Sequence, residues 1–174
     1  MTPRVAGRLA LVAFLAVYGF VSFRSPETYR LLDSVDLAIH ETGHLVFAPF
    51  GEWMAMFGGT LFQVLVPAAF VAHFAWRREL YGAAICLWWV AQSLWNASVY
   101  IADARAQELP LVGGGEHDWA YLLGEAGMLA QDHEIARLVH AVGVVIYMLA
   151  VGGALVTAAQ QPSAVEPTEE AAAA

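Results

Sequence analysis

The pentapeptide His40-Glu41-Thr42-Gly43-His44 carries the sharpest chemical signal in this 174-residue sequence. At about 3.6 residues per helical turn, two histidines four positions apart stack on one face, near enough to share a metal ion. Glu41 then projects beside them, where a water on that ion would sit. Zinc lowers the pKa of its water to about 7, so the glutamate could take that proton as general base and pass it to a leaving group as general acid. His40 and His44 are therefore expected as metal ligands and Glu41 as the catalytic group. Five such residues also arise by chance, and their surroundings decide between chemistry and coincidence. Asp33, Asp36, His40 and His44 fall on one narrow helical face of a mostly apolar segment, residues 31–50. Ionisable groups at membrane depth are costly and generally persist where they line a cavity or bind something.

A histidine pair needs a third protein ligand, leaving a fourth position for water. His117 is expected first, because neutral imidazole suits zinc and the preceding Gly113, Gly114 and Gly115 let a loop fold back over the site. Asp103 stands close behind. It ends a polar stripe with Gln92 and Asn96 on one helical face, and it could ligate the ion or orient a ligating imidazole. Asp118, Glu125 and His133 are further candidates. Gly58-Gly59 is read as allowing close helix approach or, with Thr60 and Gln63, as lining the cavity near the metal.

The spacing of the charges identifies the elements that must position these groups. Charged residues make up 14% of the chain, against about 25% in ordinary globular proteins, so long uncharged gaps are expected. Residues 53–76, 80–102 and 138–161 contain no Asp, Glu, Lys or Arg, and each run exceeds the roughly 20 residues a helix needs to cross a bilayer. Three spanning helices are predicted there. A fourth, uncleaved, is predicted over about residues 5–23, flanked by Arg4, Arg8 and Arg24. Arg4 and Arg8 share a side with Arg77 and Arg78 only if residues 31–50 do not fully cross, but dip in and return or lie against the bundle. A short helix beside the membrane is expected over residues 116–133, and a Pro-, Glu- and Ala-rich disordered tail over residues 158–174.

The predicted fold is thus all-α: a polytopic integral membrane bundle of about four spanning helices. To these it adds an embedded or re-entrant helix carrying the pentapeptide and a short interfacial helix, in one domain of residues 1–157. The expected partner is the lipid bilayer, and the expected address a bacterial inner membrane. A net charge of -8, with every basic residue an arginine, leaves no positive stripe for nucleic acid. The lone Cys86 excludes both a disulfide framework and a paired-cysteine zinc site.

With glycine at its fourth position, an apolar setting and further spanning helices after it, the pentapeptide resembles that of the site-2 protease family of intramembrane zinc metalloproteases. The resemblance covers those five residues and the general layout. It implies His40 and His44 as ligands of a Zn2+ cofactor, Glu41 as catalytic base, and hydrolysis of a transmembrane polypeptide in or near the bilayer. The family's third ligand is an aspartate followed by glycine, whereas Asp103 is followed by Ala104, and no inserted periplasmic binding domain is present. The residues alone also admit a metal-dependent lipid hydrolase, or a metal-binding scaffold or transport component that catalyses nothing.

Overall fold

The computed structural model describes residues 1–112 and 115–160. Gly113 and Gly114 of the expected loop hinge, and residues 161–174 of the expected tail, lie outside the described residues. The described chain forms six α-helices: α1 (Pro3–Arg24), α2 (Leu31–Phe47), α3 (Glu52–Trp76), α4 (Leu80–Ala102), α5 (Asp118–Glu125) and α6 (Asp132–Thr157). Short 3-10 turns at Ala48–Phe50 and Leu129–Gln131 precede α3 and α6.

Local chemistry sets the helix ends. Pro3 sits in the first turn of α1, where its missing N–H is no loss, and the Thr2 hydroxyl accepts from the Val5 N–H at 3.4 Å. At the start of α2 the Asp33 carboxylate reaches back to the Arg30 N–H at 2.6 Å. α2 gives way to the 3-10 turn that contains Pro49, and Gly51 at φ 97° turns the chain into α3.

α4 is the central helix. α1 runs parallel to it: Arg8 lies beside Tyr81, the Leu15 carbonyl accepts from the Trp88 indole at 2.9 Å, and Phe23 meets Trp95. α3 and α6 run antiparallel to it. Trp88, Ala91, Trp95, Tyr147 and Ala150 form the largest buried cluster. Two glycines make room for its rings: a Cβ at Gly143 would stand 2.7 Å from the Trp95 indole nitrogen, and one at Gly19 would clash with Tyr147.

α2 pairs with the N-terminal half of α3, Gly43 against Gly58 and His40 against Gln63, and meets α4 at Trp89, Ser93, Gln92 and Asn96. These contacts stop well short of the α3–α4 turn. Arg4, Arg8 and Arg78 accordingly gather around one pocket at a single end of the bundle, the arrangement expected if α2 does not cross.

Among the described residues, three helices are long and apolar enough to cross a membrane: α1, α3, and α6 together with the turn before it. Their outward faces carry Phe14, Val17 and Phe20, then Leu65 and Phe70, then Val145, Met148, Leu149 and Val156, all exposed. α4 is not among the three, although its sequence predicts a span. Gln92, Ser93, Asn96 and Ser98 dilute its hydropathy, and most of those groups are buried inside the bundle. Residues 116–133 do not form one helix either. α5 stops at Glu125, Gly127 at φ 67° reverses the chain, and α6 starts at Asp132 rather than Leu138. Charges in the first turns of α6 do not end the helix, because the hydrogen-bonded backbone runs on past the apolar stretch.

Candidate metal centre

α2 delivers the pentapeptide with His40 buried and His44 half-buried, their ring centroids 4.8 Å apart. Both Nε2 atoms point at one oxygen. Asp118 Oδ2 lies 2.9 Å from His40 Nε2 and 3.3 Å from His44 Nε2. Each of the three residues offers one ligand atom within 4.8 Å of the others, a group that could hold a metal ion.

The ring protons follow from the partners on the far side of each imidazole. His44 Nδ1 lies 2.8 Å from the Ala55 carbonyl oxygen, which can only accept, so Nδ1 carries a proton. His40 Nδ1 lies 3.2 Å from Gln63 Oε1. That amide is oriented by its own NH2 group, which donates to Asn96 Oδ1 at 2.9 Å and to the Ser93 carbonyl at 3.3 Å. Asn96 in turn donates to Asp33 Oδ1 at 3.2 Å. A line of hydrogen bonds therefore runs from the Asp33 carboxylate through Asn96 and Gln63 to His40.

When both imidazoles are neutral with Nδ1 protonated, two lone pairs and a carboxylate oxygen converge. A proton on one Nε2, shared with Asp118 at 2.9 Å, or a metal cation satisfies that arrangement. Two nitrogens and one oxygen match the donor set of a zinc hydrolase with one position open. Gly59 keeps the space clear, since a Cβ there would stand 2.6 Å from His40 Nε2 and 2.7 Å from His44 Nε2. The residues fit a zinc ion. Burial pushes the Asp118 carboxyl up, and the two imidazoles more than offset this, holding it below its ordinary value.

Asp118 is the first residue of α5, and its placement depends on that helix docking. Its N–H donates to the Tyr100 hydroxyl at 3.2 Å, and the neighbouring Trp119 indole donates to Thr60 Oγ1 on α3 at 3.1 Å. His117 caps the helix, its Nδ1 accepting from the Ala120 N–H at 3.2 Å. Its Nε2 faces Asp103 Oδ2 at 3.3 Å, and its ring lies 4.2 Å from that of Tyr100. The two residues ranked first from sequence, His117 and Asp103, are thus brought together with each other and not into the ligand group. Asp103 also accepts from the N–H groups of Glu108 at 2.9 Å and Leu109 at 3.0 Å. The pair braces both ends of the loop that delivers Asp118. Glu125 ends α5, and His133 lies beside Asp132 and Arg105 at the start of α6.

The rest of the polar face of α2 binds α4. Asp36, fully enclosed, accepts from the Trp89 indole at 2.9 Å, and Asp33 accepts from Gln92 at 2.8 Å. Tyr100 is the participant that the sequence analysis passed over. Its position, four residues after Asn96 and three before Asp103, puts it on the polar stripe of α4, and that signal could have found it.

Glu41 is partly exposed and, with His40, lines a cavity of about 480 Å³. Leu37, Val99 and Tyr100 line it too, with Pro26, Glu27, Tyr29 and residues 109–112. The site thus joins a candidate ligand group, a free carboxylate and a largely apolar space. No protein-family model matches the chain, and neither a curated protein nor a solved structure is significantly similar to it.

Proposed function

We propose that this chain is a membrane-embedded zinc-dependent hydrolase acting on peptide bonds, with His40, His44 and Asp118 holding the metal and Glu41 as general base. One observation carries the reading. His40 Nε2, His44 Nε2 and Asp118 Oδ2 converge, and each Nδ1 faces an acceptor on the far side of its ring. Zinc at that point would polarise a carbonyl and make a nearby water acidic. Glu41 stands at the edge of the cavity, where it takes a proton from water and hands it to the leaving amine. Gln63 and the Ala55 carbonyl hold the imidazoles in the tautomer that presents Nε2. Leu109, Leu111 and Val112 offer apolar contact to a substrate side chain and exclude bulk water.

The membrane setting belongs to the same proposal. α1, α3, α4 and α6 cross, with α4 shielded by the others, while α2 is embedded and carries the ligands, in a bacterial inner membrane. A helical substrate backbone is bonded within itself, so the polypeptide must be locally unwound to expose its carbonyl. The resemblance to site-2 proteases favours a transmembrane polypeptide.

Metal analysis of the purified chain and its variants tests this. About one zinc per chain is expected in the wild type and in Glu41→Gln, and far less in Asp118→Ala or His40→Ala. Cleavage of a transmembrane polypeptide is expected to fall by about a hundredfold or more in Glu41→Gln with zinc retained. A wild-type chain without stoichiometric metal overturns the proposal. Release of a lipid head group or acyl chain, with polypeptide left intact, moves the substrate to lipid.

A further inference from the structure

At the end of the bundle remote from the metal centre, Arg4, Arg8, Arg78 and Glu79 line a pocket of about 300 Å³ with Tyr81 and Gln160. Three segments meet there: the start of α1, the α3–α4 turn and the end of α6. Arg8 is built into the wall. Its Nη1 donates to the carbonyls of Ala158 at 3.3 Å and Gln160 at 2.8 Å, and its guanidinium lies 4.6 Å from the Tyr81 ring centroid. Tyr81 returns a bond to the Arg8 carbonyl at 3.0 Å. Among the described residues these contacts engage one nitrogen, leaving the other donors of the guanidinium fork without a partner there.

The neighbouring charges reinforce it. Glu79, the one carboxylate among the described residues lining this pocket, is bonded to Arg77 at 3.1 Å. Arg4 and Arg78 make no ion pair among the described residues. Arg78 is held at φ 58°, in the left-handed region that side chains other than glycine rarely adopt, by a turn whose Glu79 N–H bonds to the Phe74 carbonyl at 2.9 Å. The N-termini of α1 and α4 and the C-termini of α3 and α6 open at the same end, so the helix dipoles there offset one another and the arginines supply the positive charge.

We propose that this pocket binds the phosphate of an anionic phospholipid headgroup. The inference rests on the membrane setting proposed above and is independent of hydrolysis. Guanidinium groups grip phosphate oxygens through paired, charge-assisted bonds. The apolar surface below the pocket distinguishes a lipid from free phosphate: Leu11 and Phe14 on α1 and Leu155 and Val156 on α6 are exposed, giving acyl chains a path down the bundle.

The test is binding of dioctanoyl phosphatidylglycerol, dioctanoyl phosphatidylcholine and inorganic phosphate to the full chain in detergent, read by native mass spectrometry, with zinc content measured in the same samples. The glycerol lipid is expected to bind about tenfold or more tighter than the choline lipid. The Arg4→Gln/Arg78→Gln double variant should lose that preference while keeping the wild-type zinc content. Arg4→Gln alone, at an exposed residue near the chain start, should lose part of it and serves if the double variant does not fold. Equal binding of the two lipids, or a preference that survives both substitutions, overturns the proposal. Inorganic phosphate binding as tightly as the glycerol lipid overturns the lipid assignment and leaves a soluble phosphate site. Loss of zinc with lipid preference intact strikes the hydrolase reading alone.

Discussion

Gln63 reaches the metal centre only through His40. Replacing it with leucine removes the acceptor that holds the His40 Nδ1 proton and leaves Asn96 and the Ser93 carbonyl without their donor. Zinc affinity is expected to drop by about 10- to 100-fold, measured by competition with a chromophoric chelator. Nitrogen NMR of the His40 ring should report a changed tautomer mixture, which loss of packing alone would not produce. At this scale the pentapeptide was legible because helical spacing alone aligns its two rings. The third donor was not. Ranking by residue type favoured His117, but its Nδ1 is engaged by the Ala120 N–H and its ring packs against Tyr100. Which of two adjacent side chains faces the histidines depends on how α5 docks, and that docking is settled by Trp119 and Thr60, far apart in the sequence.

Among the elements, the seam between α2 and α3 governs the site. Gly43 and Gly58 let the backbones approach until a Cβ at Gly43 would clash with the Gly58 carbonyl, and Gly59 lies directly against the two imidazoles. Gly59→Ala is therefore expected to abolish stoichiometric zinc while circular dichroism retains the helical signal. Gly43→Ala should instead push the helices apart, costing about 1–3 kcal/mol in denaturant unfolding. The helix boundaries of α4 were readable from its uncharged run, and those of α1 and α3 nearly so. The polar stripe of α4 was visible as well, although its purpose was not: Gln92 and Asn96 hold Asp33 of α2 rather than a metal. The break at Gly127 was hidden because a glycine's φ follows from the packing on either side of it.

For the whole molecule, large apolar side chains stand exposed along α1, α3 and α6, a surface that water does not favour. The chain is expected to stay in the pellet when membranes are washed with alkaline carbonate and to be released by detergent. Recovery in the carbonate supernatant would refute the membrane setting. Arg4, Arg8 and Arg78 line one pocket at a single end of the bundle, and the contacts of α2 with α3 and α4 lie away from that end.

Because α2 keeps to one half of the bundle, Glu41 has a fixed reach. On the hydrolase reading proposed above, a scissile bond would be met near the boundary remote from the arginines, so a substrate would be selected by the depth of its weak point as well as by its side chains. Sliding an identical cleavable sequence along a transmembrane segment would turn that geometry into a ruler.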